Sequence, residues 1–221
     1  MAANEETRRH QILDAAMRLM VRYGYDKTSV SEIAGEAGIS KGAVYLHFES
    51  KDALFDALLR REMRHYAEDW HSRVEADPQG GTIGGIYRHI LAAVKANPLV
   101  RAVFTRDRTV LGKLVHSYAA AADQVRAVEL RAEFIRSMQA EGAVRADVDP
   151  YATAYLMTVF VVGITTLDEM VPIDAIPDFE TLLQSMGGMM ESYLSTGAAG
   201  ESDTGKEILR RTMEQAREQL S

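Results

Sequence analysis

The hydrophobic positions of this chain recur at three- and four-residue spacing, the period of amphipathic helices. Ile12, Ala15, Ala16, Leu19, Met20 and Tyr23 set out a first helix over Glu5–Tyr23, and Gly24 ends it. Val30, Ile33, Ala34 and Ala37 share a face of a short second segment. Ser29 followed by Glu32 is a capping box for its start. Gly38 stops it, because glycine takes a left-handed backbone conformation without a Cβ clash. Ile39 turns back to the core, Ser40 caps a third segment, and Val44 and Phe48 place an apolar stripe on it. Ser50 opens a long helix to about Ala76, with Ala53, Leu54, Ala57, Leu58, Arg61, Tyr66 and Trp70 fitting its period loosely.

Asp77-Pro78-Gln79-Gly80-Gly81 breaks the chain. Helices follow at about 82–96 and 98–105, the latter with Asn97 as cap and Pro98 in its first turn. From Arg106 to Lys113 the pattern fits no single element. A long helix is expected from about Leu114 to Glu141, then a connector over 142–149. Asp149-Pro150 starts a helix to about Met170 that is apolar nearly all round, so burial on several sides is expected. The Pro172–Pro177 stretch breaks the chain again, and Asp178 caps a helix to about Leu194. Gly187 and Gly188 lie in its middle, at a cost of roughly 1 kcal/mol each against alanine; a close helix contact would offset that. Thr196–Gly205 reads as a flexible linker. Lys206–Leu220 reads as an amphipathic helix with Ile208, Leu209, Met213, Ala216 and Leu220 on one face. The fold class is therefore all-α: a three-helix head with a helix-turn-helix, then a helical body.

Composition narrows the function. The 221 residues are 47% hydrophobic, enough for a buried core, and include no cysteine. Disulfides and thiolate metal sites are excluded, which fits a reducing cytoplasm. The polar start MAANEETRRHQ is no signal peptide. The longest apolar run, Ala154–Leu167, falls short of the roughly 20 residues that cross a bilayer. A cytoplasmic protein with no membrane association is expected. The net charge of −7 argues against nucleic acid until the chain is divided: residues 1–51 hold seven basic and seven acidic side chains, so the rest carries the whole imbalance. Placement of Lys27, Lys41 and Lys51 must then serve any contact with phosphates, and few such contacts give a moderate salt dependence.

The chemistry concentrates between Thr28 and Lys51. A helix, a tight Gly38-Ile39-Ser40 corner and a second helix make a helix-turn-helix, a device that lays its second helix into the DNA major groove. With Val44 and Phe48 inward, Lys41, Gly42, Tyr45 and Leu46 are left outward. Lys41 suits a guanine edge. Gly42 and Ala43 let the backbone approach the groove floor. Tyr45 and His47 carry donors for phosphate oxygens. The free amides after Ser50, with Lys51 beside them, form an anion site.

The stretch TSVSEIAGEAGISKGAVYLHFESKDAL resembles the TetR family of bacterial transcriptional regulators, and KGAVYLHFESK is its most specific part. The resemblance covers roughly residues 7–60. It implies a homodimeric regulator, a repressor in the first instance, whose hold on a palindromic DNA operator is changed by a small-molecule effector. Carried over by position, the DNA contacts fall on Thr28 or Ser29 and on Ser40, Lys41, Gly42, Ala43, Tyr45, His47 and Lys51. It further implies a head at 1–51, an effector-binding and dimerising body at 52–196, and a four-helix dimer interface built from the helices at about 150–170 and 178–194 of each subunit. The 197–221 tail lies outside that family core. No cofactor is implied, and no enzymatic activity.

The effector would sit among apolar residues of the body. Tyr66, Trp70, Phe104, Tyr118, Phe134, Met138, Met157, Phe160 and Thr165 are the candidates, although residues of these types more often serve a plain core. Glu62–His65 and Glu68–His71 have the Glu-x-x-His spacing of di-iron helices. They lie six residues apart, about 240° around one helix, and cannot face one metal. A metal-dependent oxidase and an effector-independent DNA-binding protein stand as the competing readings.

Overall fold

A computed structural model of the chain describes residues 2–115, 121–170, 177–198 and 200–219. Among them are eleven α-helices: α1 (Ala2–Tyr23), α2 (Val30–Glu36), α3 (Lys41–His47), α4 (Lys51–Ala76), α5 (Ile83–Ala96), α6 (Pro98–Thr105), α7 (Arg108–Leu111), α8 (Ala121–Ala140), α9 (Pro150–Met170), α10 (Phe179–Leu194) and α11 (Glu201–Gln219). A 3-10 turn at Gly112–Leu114 follows α7. The chain forms two compact units, Met1–Tyr66 with Asn97–Ala120, and Ala67–Ala96 with Ala121–Ser221.

In the first unit Ile12, Ala16 and Met20 of α1, Ile33 of α2, Val44 of α3 and Leu54, Phe55 and Leu58 of α4 bury into one core with Leu99 and Leu111. The stretch after Asn97 thus packs with the helix-turn-helix, a placement that the motif boundary at Lys51 does not convey. Asn97 caps α6 by accepting from the Leu99 and Val100 amides, and its side-chain amide donates to Glu62 Oε2 at 2.8 Å. Glu62 also pairs with the buried Arg61, whose guanidinium reaches Asp14 Oδ1 of α1 at 2.6 Å. The segment without a clear period resolves into local devices. Arg106 turns the chain in the left-handed region at φ 56°, and Asp107 caps α7 by accepting from the Thr109 and Val110 amides. The Tyr25 amide then donates to the Val110 carbonyl at 2.8 Å.

In the second unit α5 packs along α10, and α8 along α9. The α5–α10 contact is close because glycines meet: a Cβ on Gly84 would strike the Gly187 carbonyl, and one on Gly187 would strike Arg88. The mid-helix Gly187 therefore has the close contact expected for it. Gly188 does not, since nothing lies within 4 Å of where its Cβ would be.

Several expectations need correction. The tail helix begins at Glu201, not Lys206, so half of the supposed linker is helical. Its start is fixed by contacts far away in sequence. Ser202 Oγ donates to the Pro78 carbonyl at 2.8 Å and accepts from the Gly81 amide at 3.0 Å. Lys206 Nζ donates to the carbonyls of Glu75 and Asp77, and Leu209 packs with Val74 and Ile86. The Met213, Ala216 and Leu220 side chains lie outside the described residues, as does most of the 172–177 break. The helix expected from Leu114 is described from Ala121, and Leu114 itself closes the 3-10 turn. Finally, the described residues do not cover α9 on all sides: Tyr155, Leu156, Val159 and Phe160 are exposed.

Candidate nucleic-acid interface

The geometry of the helix-turn-helix follows from its caps. The Ser29 amide donates to Glu32 Oε2 at 2.7 Å, and the Glu32 amide donates to Ser29 Oγ at 3.2 Å, so the capping box is closed on both sides. Gly38 sits at φ +68°, and the Ile39 amide reaches back to the Ala34 carbonyl at 2.9 Å. That turn redirects the chain into α3, where Ser40 Oγ accepts from the Ala43 amide at 3.1 Å. These bonds orient α3 unambiguously. Val44 is 0% and Phe48 5% exposed, whereas Tyr45 is 46% exposed and Lys41 and Gly42 also face out. Ala43 and His47 flank them half-buried, and Ser29 and Ser40 are exposed beside their caps. The structure thus brings Lys41, Gly42, Ala43, Tyr45 and His47 onto one short helix. Among the described residues no group of His, Cys, Asp or Glu is arranged to hold a metal ion.

Two expected contacts change character. Thr28 is buried, and its hydroxyl donates to the Gly24 carbonyl at 2.8 Å, so its side chain locks the turn between α1 and α2 instead of facing outward. Lys51 does not stand free beside open amides. Its ammonium donates to the Tyr25 carbonyl at 2.6 Å and stands over the Tyr25 ring at 4.0 Å, while the Ala53 amide already donates to Ser50 Oγ. Burial pulls its pKa below the usual lysine range, and Asp26 pulls the other way. Arg9 likewise lies against the Phe48 ring, 4.7 Å from its centre. Helical spacing turns Leu46 outward but assigns it no role; at 85% it is by far the most exposed large apolar side chain among the described residues.

The profile of bacterial regulatory proteins of the tetR family matches residues 12–58, from the middle of α1 to the first turns of α4. The chain belongs to the TetR family. HTH-type regulators of other bacteria align with part of the chain. The HTH-type transcriptional repressor Rv1474c of Mycobacterium tuberculosis is 43% identical over 86 residues, which are 39% of this chain and 42% of that protein. The HTH-type transcriptional regulator AcrR of Shigella flexneri is 38% identical over 77 residues, 34% of this chain and 35% of that protein. The chain therefore matches less than half of the length of these two relatives. Among solved structures, AibR in complex with isovaleryl coenzyme A and operator DNA superposes with a TM-score of 0.60 at 25% identity, over 82% of this chain and 97% of AibR. A TetR-family regulator from Rhodococcus sp. shares the fold at a TM-score of 0.61 and 22% identity, over 83% and 98% of the two chains.

The residues expected to line an effector pocket are placed variously. Tyr66 and Phe104 meet edge to face at 5.8 Å within the first unit of this TetR-family chain. In the second unit, Trp70 and Phe134 pack on the Val74–Ile86–Leu209 cluster. Met138, Met157 and Thr165 are buried, and the Thr165 hydroxyl donates to the Val161 carbonyl at 2.6 Å. Phe160 lines a half-open apolar groove of about 210 Å³ with Leu156, Met186, Met189 and Tyr193. Tyr118 lies outside the described residues.

Proposed function

We propose that this chain is a transcriptional regulator, in the first instance a repressor, that binds a palindromic operator as a homodimer and leaves it when a small-molecule effector binds. The observation that carries the DNA-reading half is the outward set on α3: Lys41, Gly42 and Tyr45 exposed above buried Val44 and Phe48. A short helix with a bare backbone position, a first-turn cation and a phenol meets what a major groove offers in base edges and phosphates. Exposed Lys27 precedes the same motif, while Ser29 and Ser40 remain at the two caps.

The homodimer rests on α9 and α10. Their exposed Leu156, Phe160, Met189 and Tyr193 form a contiguous apolar groove. Gly163 and Gly188 lie mid-helix with nothing within 4 Å of where a Cβ would stand, so among the described residues they have no packing reason. A second copy laid across these helices supplies one, because small residues let helix backbones approach. Such a dimer presents two heads to two half-sites.

The effector half rests on kinship. AibR was solved with isovaleryl coenzyme A, and an acyl coenzyme A comes to this chain as a class of candidate only. An effector acts by binding the DNA-incompetent state more tightly, which shifts the population away from the operator.

The test is enrichment of duplexes from a random library by the full chain, followed by affinity measurement on the enriched site. A palindromic site bound by the wild type and lost by the Lys41→Ala, Tyr45→Ala double variant supports the reading. Equal binding by both proteins sinks the α3 contact, and no enrichment sinks DNA recognition.

A further inference from the structure

An apolar side chain held 85% exposed on a short, well-capped helix contributes little to the packing of the described residues. Leu46 occupies that place. It follows buried Val44 by two residues, about 200° around the helix axis, so it stands opposite the side that anchors α3. One turn earlier on the same outward stripe is Gly42, where only Ser40 Oγ comes within 4 Å of a Cβ position. Ala43 on the other flank is small as well. Leu46 is therefore the tallest group on an otherwise low ridge, and Lys41 and Tyr45 stand beside it as polar neighbours.

We propose that Leu46 is a specificity-determining residue that reads the 5-methyl group of a thymine in the major groove. The inference rests on the DNA-binding reading above and deepens it. The floor of the major groove displays donors, acceptors and one apolar feature, the thymine methyl. An isobutyl group at the apex of the entering helix finds no hydrogen-bond partner there and matches only that methyl. Gly42 gives the clearance: with no side chain one turn before, the helix settles close enough for Leu46 to touch the base edge. Polar residues would serve a phosphate at this position; a leucine does not. Burial of the pair of methyl-bearing surfaces also discriminates against cytosine, whose edge offers an amino donor in the same region.

The experiment uses the full chain and the duplex it enriches from a random library. Each thymine of that duplex is replaced singly by uracil, which removes the methyl and leaves every hydrogen-bonding group. The wild type should lose about four-fold in affinity per half-site at one symmetric position, the size expected for one buried methyl. Leu46→Ala should bind thymine and uracil equally at that position, with its melting temperature nearly unchanged because the residue is 85% exposed. Equal binding of all uracil duplexes by the wild type overturns the proposal. So does a Leu46→Ala protein that keeps the full uracil penalty, since another residue would then carry the contact. Failure to enrich any duplex overturns the DNA-binding reading as a whole, which is a different result from an enriched site indifferent to uracil.

Discussion

Lys51 Nζ donates to the Tyr25 carbonyl oxygen at 2.6 Å and sits 4.0 Å above the Tyr25 ring. The start of α4 is thereby tied to the turn that leaves α1. The Tyr25 hydroxyl donates in turn to Asp52, and Lys113 Nζ reaches Asp52 at 3.5 Å. Lys51→Ala removes a charge-assisted hydrogen bond and a cation–π contact, and should cost about 1–2 kcal/mol. Urea denaturation checks it: an unchanged midpoint would show the bond to be without weight.

The two faces of α3 should separate cleanly. Lys41→Ala should weaken binding to the enriched duplex by about 1–3 kcal/mol per half-site and leave the melt unchanged. Phe48→Ala should instead cost about 3–5 kcal/mol of stability, because the ring is buried in the head core. Parallel melts and binding isotherms on both variants decide the matter; a Phe48→Ala protein as stable as wild type would contradict the burial.

On the α9–α10 face, Leu156→Asp with Phe160→Asp should yield a monomer in sedimentation, because two carboxylates cannot be buried against a second copy without partners. Gly163→Leu is a sharper probe. It raises helix propensity in α9 by up to about 1 kcal/mol, and yet it should weaken association by filling the open position. A variant that dimerises as tightly as wild type would remove Gly163 from the interface.

Removal of residues 198–221 should lower the melting temperature. The deletion uncovers Val74 and Ile86, and leaves the Glu75 and Asp77 carbonyls without the Lys206 ammonium. For a chain of this size each kcal/mol lost moves the melt by about 2–4 °C. A melt indistinguishable from wild type would mean that α11 adds nothing to the unit.

The same contact carries a pH dependence. The hydrogen bond from Arg210 holds the Glu75 carboxyl below the usual glutamate range, helped by the charges of Arg210, His71 and Lys206, while burial opposes the shift. A carboxyl lowered by folding adds stability at pH above its ordinary value. That contribution is lost as pH falls through the lowered value, when the carboxylate takes up a proton. Melts of wild type and Glu75→Gln should therefore differ at neutral pH and converge in acid; a constant gap from neutral to acid pH would exclude the linkage.

The helix-turn-helix could be read before any coordinates because its determinants are local. Ser29 with Glu32, Gly38, Ser40, and Val44 with Phe48 each act within a few residues, through caps, a left-handed turn and one helical period. The outward direction of Lys41 and Tyr45 follows from the same spacing. Sequence could not distinguish the duties of neighbouring polar residues. Thr28 and Ser29 are adjacent and chemically alike, yet one hydroxyl is buried on the Gly24 carbonyl and the other caps α2 in the open.

Composition and period alone settled the all-α class, the head, and the stripe that anchors α3, since each is fixed by neighbours in the chain. Tertiary packing decided the rest. It set Lys51 on Tyr25, drew the stretch after Asn97 into the head core, started α11 at Glu201 on the Pro78–Gly81 turn, and left one side of α9 exposed among the described residues. These outcomes depend on residues from 26 to more than 120 positions apart, and a periodic pattern carries no record of which distant surface will meet it.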